Sequence, residues 1–176
     1  MLEELYLVRH AAPDRATGLP YNIVPGPPLT PAGHQEAVQA AHWLRGRGVE
    51  HVFTSPFTRA RATAETIAAA LEVGLTVVER LGEGAPGETL AQVRARVCEL
   101  LPQLEDTPLR RVALVTHGAC ILGLLQHTTG DSIDLAGHRY DNGNCAPTAG
   151  IWRGALLGGA WRWELAFQPD LSPQWV

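Results

Sequence analysis

Lysine is missing from this chain of 176 residues, whose 14 basic residues are all arginine. Its absence excludes enzymes that form a Schiff base on lysine and those that bind phosphate with a P-loop lysine. Any cationic contact to an anionic ligand must come from arginine or from protonated histidine. Arginine suits a phosphoryl ligand, because its planar fork can donate two hydrogen bonds to one phosphate.

Cysteine and long apolar runs are also scarce. The three cysteines are widely spaced without a Cys-x-x-Cys pair, which argues against a disulfide framework or a zinc site. The acidic start of the chain does not resemble a signal peptide, and the apolar runs are too short to span a membrane. The net charge of −4 gives no overall attraction for nucleic acid or anionic lipid. These features predict a cytoplasmic protein with neither nucleic acid nor membrane as a partner.

Apolar runs that end at polar residues alternate with amphipathic segments along the chain. This alternation predicts a single α/β domain over residues 1–176, with three layers (α/β/α) and a mostly parallel sheet. The predicted strands are Leu5–Val8, His51–Thr54, Leu75–Val78 and Val112–Val115. The predicted helices are Pro31 to about Arg47, Thr58–Leu71, Glu88–Leu104 and Gly118 to about Thr128. Two further strand-like runs, around Ile151 and at Trp161–Phe167, are joined through Gly158-Gly159 as in a hairpin.

Polar side chains follow the predicted parallel strands at the edge where such sheets bind ligands. Arg9 and His10 end the first strand, and Arg59 lies at the start of the helix after the second. Glu83 follows the third strand, and His117 ends the fourth. Together they offer a nucleophile, cationic groups and a proton donor, which displacement at a charged oxyanion requires.

Four segments of the sequence resemble motifs of one known family. Leu7-Val8-Arg9-His10 looks like the Leu-x-Arg-His motif of the histidine phosphatases, and Pro28–Gln35 resembles Pro-Leu-Thr-x-x-Gly-x-Gln. Thr54–Thr66 is close to Ser-Ser-Pro-x-x-Arg-Ala-x-x-Thr-Ala-Glu-Thr, and Val115–Gly118 matches the motif of the second histidine. With these motifs in order, the chain is identified as a member of the phosphoglycerate mutase-like superfamily, branch 1.

The resemblance implies a role for each candidate residue. His10 would attack phosphorus and become phosphohistidine, while Arg9, Arg59 and His117 would hold the phosphoryl oxygens. Glu83 would protonate the leaving oxygen. The activity implied is that of a phosphomonoester hydrolase without cofactor or metal, acting on a small phosphorylated metabolite or on a phosphoprotein. A phosphoglycerate mutase, a phosphohistidine protein phosphatase and a non-catalytic phosphoryl-binding module are the alternatives.

The segment after His10 departs from the family pattern. The family usually has Gly-Glu-Thr there, followed slightly later by an asparagine that assists with phosphate. This chain has Ala11-Ala12-Pro13, and Ala16 stands in place of the asparagine. Asp14, Thr17 and Asn22 are the residues that could compensate. Further along, Asn144 falls near the family's late Asn-x-Ser/Thr element, with unusual flanking residues.

The segment after Glu83 is short. Larger relatives carry a long helical insertion at this point that roofs the site, whereas three residues here separate Glu83 from Gly87. Glu88 therefore becomes a rival for the role of acid. The loop 11–28 has little apolar mass with which to close the site. An open mouth is expected, and it favours hydrolysis over transfer to an acceptor.

Two other groups of residues need an interpretation. Asp131, Asp134, His138 and Asp141 could hold a divalent cation, although their irregular spacing is more typical of a solvated loop. The five tryptophans are expected in the core or at an interface. Trp161 and Trp163 alternate along a strand and share one face, which could serve as the surface of a homodimer.

Overall fold

A central sheet of six strands organises residues 1–170, the part of the chain that the computed structural model describes. The strands are β1 (Glu4–Arg9), β2 (His51–Thr54), β3 (Gly74–Val77), β4 (Arg111–Thr116), β5 (Ile151–Leu157) and β6 (Ala160–Phe167). Their order across the sheet is β3-β2-β4-β1-β5-β6. The first four are mutually parallel, and β5 and β6 add to the edge as an antiparallel hairpin. The predicted mostly parallel sheet is confirmed.

Helices cover both faces of this sheet. They are α1 (Pro31–Leu44), α2 (Thr58–Leu71), α3 (Leu90–Cys98), α4 (Leu100–Glu105) and α5 (Gly118–Thr128). Successive strand residues point to opposite faces, so Tyr6 and Val8 pack with α1 and α2, whereas Leu5 and Leu7 pack with the other three helices. Two buried cores flank the sheet, which confirms the predicted three-layer α/β fold.

The helix predicted at Glu88–Leu104 is wrong in extent, because the chain forms two helices there. Thr89 begins α3 with a capping box in which its side chain and that of Gln92 bond each other's backbone N–H groups. The break at Glu99 follows from Pro102, which has no N–H to donate to the carbonyl of Cys98. Near the start of the chain, α1 likewise ends three residues before the predicted Arg47.

The hairpin brings most of the tryptophans onto the core of this same chain. Trp161 and Trp163 stack with ring centroids 5.6 Å apart and pack against the core beside α5. The indole N–H of Trp163 donates to the hydroxyl of Thr128. Trp152 is buried, Trp43 is partly buried, and Trp175 lies outside the described residues. The face shared by Trp161 and Trp163 thus packs within the chain, and a homodimer stays a prediction.

Among the residues described, no helix combines the length and the apolar character needed to cross a membrane.

Candidate active site

The topology of the sheet brings the two predicted histidines together. β1 and β4 are parallel neighbours with Arg9 opposite Thr116, so the residues that follow them lie side by side. The rings of His10 and His117 have centroids 5.1 Å apart. Arg59, in the first turn of α2, places its Nη2 atom 3.3 Å from Nδ1 of His117. Side chains from three separate connections therefore meet at the carboxyl edge of the sheet.

His10 is held as a neutral imidazole with one nitrogen free to react. Its Nδ1 atom lies 2.8 Å from the carbonyl of Ala11, so Nδ1 carries the hydrogen and donates it. Burial is the largest cause that lowers the pKa of His10 well below its usual value, and the positive charges of Arg59 and Arg9 act in the same direction. The lone pair therefore lies on Nε2. The carbonyl of Ala11 thus fixes this tautomer of His10.

His117 and Glu83 form a buried pair beside His10. Oε2 of Glu83 lies 3.3 Å from Nδ1 of His117, and Oγ of Ser55 lies 2.7 Å from Nε2 of the same ring. Burial lowers the pKa of His117, so the neutral ring donates from Nδ1 to Glu83 and accepts from Ser55 at Nε2. Burial alone would raise the pKa of Glu83, but the bonds from His117 and from the N–H of Gly84, with the charge of Arg59, lower it to about 2.

The two candidate acids lie in different surroundings. Glu83 accepts a hydrogen bond from Arg59 at 3.2 Å, and a carboxylate oxygen lies within 4.8 Å of a ring nitrogen of both His10 and His117. Glu88 is turned away and binds Arg96 through both oxygens, at 2.6 and 2.9 Å. Arg96 also donates to the carbonyls of Gly82 and Glu83, so α3 fixes the short segment that carries the acid. The geometry favours Glu83.

The two predicted arginines present buried donors to the site. Arg59 is fully buried and Arg9 is 2% exposed. Within the described part of the chain, Nε of Arg9 and both Nε and Nη1 of Arg59 are buried without a hydrogen-bond partner. Leaving such donors unpaired is costly, so their presence indicates a site built for an anion.

His10, Glu83 and His117 each place one potential metal-ligating atom within 4.8 Å of the other two, a spacing that could also suit a metal ion. The two guanidinium groups beside this trio oppose a divalent cation, because like charges repel more strongly where burial excludes water. The same charges attract a phosphoryl group. The unpaired N–H donors of the two arginines therefore favour an anion at this position.

The loop after His10 covers the nucleophile. The hydroxyl of Tyr21 lies 3.2 Å from Nε2 of His10, and its ring stacks on the guanidinium groups of Arg59 and Arg15 at 4.0 and 4.2 Å. His10 is consequently 1% exposed. The loop brings little other apolar mass to the site, and this one aromatic ring covers the nucleophile. Nothing in the sequence marked Tyr21.

Of the three residues proposed to replace the family's asparagine, one faces the site. Asn22 lines a cavity of about 460 Å³ together with Arg9, His10, Glu83 and Asn144. Asp14 instead accepts from the N–H of Ala16 and caps a single turn of 3-10 helix, Arg15–Thr17. Thr17 donates to the backbone of Asp14.

The second motif has a supporting role. The amide of Ala12 donates to the buried carboxylate of Glu36, one residue after the motif. A side chain at Gly33 would meet the carbonyl of Ala12 at 2.3 Å, so only glycine lets α1 approach this closely. In the third motif, Thr63 accepts from the N–H of Ala11. These contacts fix the backbone on the C-terminal side of His10.

The loop interpreted above as solvated pairs two of its carboxylates with arginine. Asp141 binds Arg9 through both oxygens, at 2.5 and 2.8 Å, and Asp131 binds Arg94 on the surface. Each of these two carboxylates is neutralised by a different arginine. The sequence had not linked Asp141 with Arg9, which lies 132 residues away.

Comparisons with known proteins agree with this fold. The model of the histidine phosphatase superfamily (branch 1) matches residues 5–85 and 82–153. The chain belongs to this superfamily.

Individual relatives include both mutases and phosphatases. A protein of Salmonella paratyphi A named as a probable phosphoglycerate mutase is 34% identical over 120 residues, which are 68% of this chain and 54% of that protein. The chain thus spans about half the length of that relative.

Among solved structures, a mycobacterial glucosyl-3-phosphoglycerate phosphatase superposes with a TM-score of 0.73 at 21% identity, covering 93% of this chain and 97% of its own. The protein YhfR of Bacillus stearothermophilus gives 0.74 at 21% identity, covering 96% and 98%. At such identities, these similarities establish the fold.

Proposed function

We propose that this enzyme hydrolyses phosphomonoesters through a phosphohistidine intermediate on His10. One observation carries the proposal: a neutral imidazole, with its Nε2 lone pair directed into the site, lies beside buried arginine donors that have no partner among the described residues. A nucleophile for phosphorus needs that lone pair, and the charge on the phosphoryl oxygens needs those donors. The phosphatase among the solved relatives is consistent with this chemistry.

In the first step, Nε2 of His10 attacks phosphorus while the bond from phosphorus to the leaving oxygen breaks. Arg9, Arg59 and His117 hold the oxygens that carry the charge. Glu83 transfers a proton to the leaving oxygen. In the second step Glu83 takes a proton from water, whose oxygen displaces Nε2 and restores the free histidine.

Glu83 must hold a proton at the moment of the first transfer, although it is ionised in the free site. A bound phosphoryl group supplies the reason for a change. It draws the hydrogen bonds of Arg59 and His117 towards its own oxygens and places negative charge close to Glu83. Both effects raise the pKa of the carboxyl group. A substrate that binds as its monoanion brings the proton with it.

Hydrolysis rather than phosphoryl transfer is proposed because only a short loop covers the site. α3 begins at Leu90, so the segment after Glu83 holds no helical roof. The cover is Tyr21, on a loop rich in glycine and proline, and it must move away before phosphorus can approach Nε2. The loop displaced in this way lets water reach the phosphoenzyme. A mutase, as the Salmonella relative is named, must instead keep water out.

Two assays test the proposal. Turnover of p-nitrophenyl phosphate, with an acid-labile and alkali-stable phosphoenzyme trapped on His10, is the expected result, and an acid-stable label would contradict it. With 3-phosphoglycerate and a bisphosphoglycerate primer, free phosphate should accumulate faster than isomerised product. The reverse order would make the chain a mutase.

A further inference from the structure

Asp141 and Arg9 form a contact that the proposed mechanism has not yet used. Asp141 lies in the connection between α5 and β5, and its side chain is 47% exposed, whereas that of Arg9 is 2% exposed. Its two oxygens face the two terminal nitrogens of the guanidinium group, Oδ1 to Nη1 and Oδ2 to Nη2. Such paired contacts fix both the position and the rotation of a planar guanidinium.

The donors of Arg9 can be counted one by one, because a guanidinium has five N–H groups in a fixed plane. Nη1 uses both of its hydrogens, one for Asp141 and one for the carbonyl of Ala146 at 2.9 Å. Nη2 uses one for Asp141. One hydrogen on Nη2 and the hydrogen on Nε remain, and these two lie along a single edge of the plane. In the free site the side chain of Tyr21 also interacts with this guanidinium, and it leaves with the loop when substrate binds.

This remaining edge suits a phosphoryl group. Nε of Arg9 is buried and without a hydrogen-bond partner in residues 1–170, and Arg9 lines the same cavity as His10. Two parallel N–H donors match two oxygens of one phosphoryl group. Asp141 occupies the opposite contact, the end formed by Nη1 and Nη2, so it does not compete for the edge that contains Nε.

We propose that Asp141 is a positioning residue, which grips the end of the Arg9 guanidinium so that its Nε edge faces the phosphoryl group. The inference rests on the proposed function, because it assumes that Arg9 binds phosphate. The connection between α5 and β5 would thus help to orient the arginine that binds the phosphoryl group. Without Asp141 the guanidinium keeps its charge, but of the three hydrogen bonds at its end only that from Nη1 to the carbonyl of Ala146 remains to orient it.

The chain contains a matched control for this role. Asp131 binds Arg94 in the same way, through both oxygens at 2.6 and 3.2 Å, and is 59% exposed. Asp131→Asn and Asp141→Asn each remove one charge and one acceptor from a paired contact of a half-exposed aspartate. Asparagine also tolerates the positive φ of 62° at Asp131. The difference between the two variants isolates what Asp141 does for the site.

The experiment compares both variants with the unmodified chain on p-nitrophenyl phosphate and on an alkyl phosphate, with inorganic phosphate as inhibitor. We expect Asp141→Asn to lower kcat/KM about 10- to 100-fold and to weaken inhibition by phosphate, while Asp131→Asn stays within about twofold. The loss should be equal for both esters, because Arg9 contacts the phosphoryl group and not the leaving group. If the substitution only disturbed the structure of the loop, contacts to the leaving group would change as well. The loss of kcat/KM would then differ between the two esters.

Three results would overturn the inference. The first is an equal kcat/KM in the two variants, and the second is a loss in Asp141→Asn that depends on the leaving group. The third is tighter inhibition by phosphate in Asp141→Asn, because it would mean that Asp141 competes with phosphate. Asp141→Glu keeps both carboxylate oxygens, so it should retain more activity than Asp141→Asn. If the asparagine variant does not fold, Asp141→Glu replaces it in the comparison with the unmodified chain. If the unmodified chain neither turns over esters nor binds phosphate, the proposed function fails first and the inference with it.

Discussion

The candidate site is built from two sets of side chains that differ in how the chain holds them. One set follows the strand ends: His10 and His117 lie next to strands β1 and β4, whose backbone hydrogen bonds fix them in the middle of the sheet. The other set comes from long connections, with Tyr21 in the loop after β1 and Asp141 in the loop after α5. In the proposed mechanism the first set carries the atoms that react, whereas the second set covers the nucleophile and orients Arg9.

The electrostatics of the two sets differ in the same way. At the strand ends burial dominates, so the pKa values of both histidines are lowered and the rings stay neutral. In the loop, the hydrogen bond from Arg9 is the largest influence on Asp141 and lowers its pKa despite partial burial. Changes at the strand ends should therefore remove the chemistry, whereas changes in the loops should adjust its rate.

The largest effect is expected at the nucleophile. His10→Ala removes the atom that bonds to phosphorus and should lower the rate of phosphate release by roughly 10⁴-fold or more. His117→Ala removes only a group that stabilises charge, with an expected loss of about 10²- to 10³-fold. Steady-state assays measure both, with circular dichroism to check folding because both rings are buried. Equal losses in the two variants would contradict the assignment of His10 as the sole nucleophile.

The second prediction compares the two glutamates on either side of the short segment. Glu83→Gln should slow an alkyl phosphate by about 10²-fold or more and p-nitrophenyl phosphate far less, because the nitrophenolate leaving group scarcely needs a proton. Glu88→Gln is the control, since that carboxylate binds Arg96. The measurement is kcat for both esters in both variants. If Glu88→Gln showed the dependence on leaving group and Glu83→Gln did not, the acid would have to be reassigned.

The residues that the sequence identified are those that regular structure places. Apolar runs locate the strands, parallel pairing brings their ends together, and the motif residues His10, His117 and Arg59 therefore meet as predicted. The position of Glu83 could be predicted in the same way, because it follows strand β3. Their proximity depends on the order of the strands, which the alternating pattern and the motifs restrict to few possibilities.

The contacts made by the two loops were beyond such reasoning. Tyr21 lies among glycines and prolines without a periodic pattern, and its position over His10 depends on packing against Arg15 and Arg59. Asp141 belongs to a group of irregularly spaced polar residues that was interpreted as a solvated loop, and that interpretation gave it no partner. Its partner is 132 residues away, and local spacing carries no information about a contact at that distance.

The smallest effect is expected at Tyr21, and its sign is opposite to the others. The hydroxyl donates to the Nε2 lone pair of His10, while the Tyr21 ring stacks on Arg59. Phosphorus must approach the same lone pair, so the hydroxyl and the substrate compete for it. Tyr21→Phe removes this hydrogen bond, together with the contact of the hydroxyl with Arg9, and keeps the ring.

A hydrogen bond of this kind contributes about 0.5–1.5 kcal/mol, so kcat/KM and the affinity for inorganic phosphate should both rise about 2- to 10-fold in Tyr21→Phe. Tyr140→Phe removes a hydroxyl from the other loop and should leave both values unchanged. A fall in kcat/KM for Tyr21→Phe would mean that the hydroxyl moves to contact the phosphoryl group, and the loops would then share the chemistry with the strand ends. A rise would keep the two sets distinct, because the loop residue would act only by covering the nucleophile until substrate displaces it.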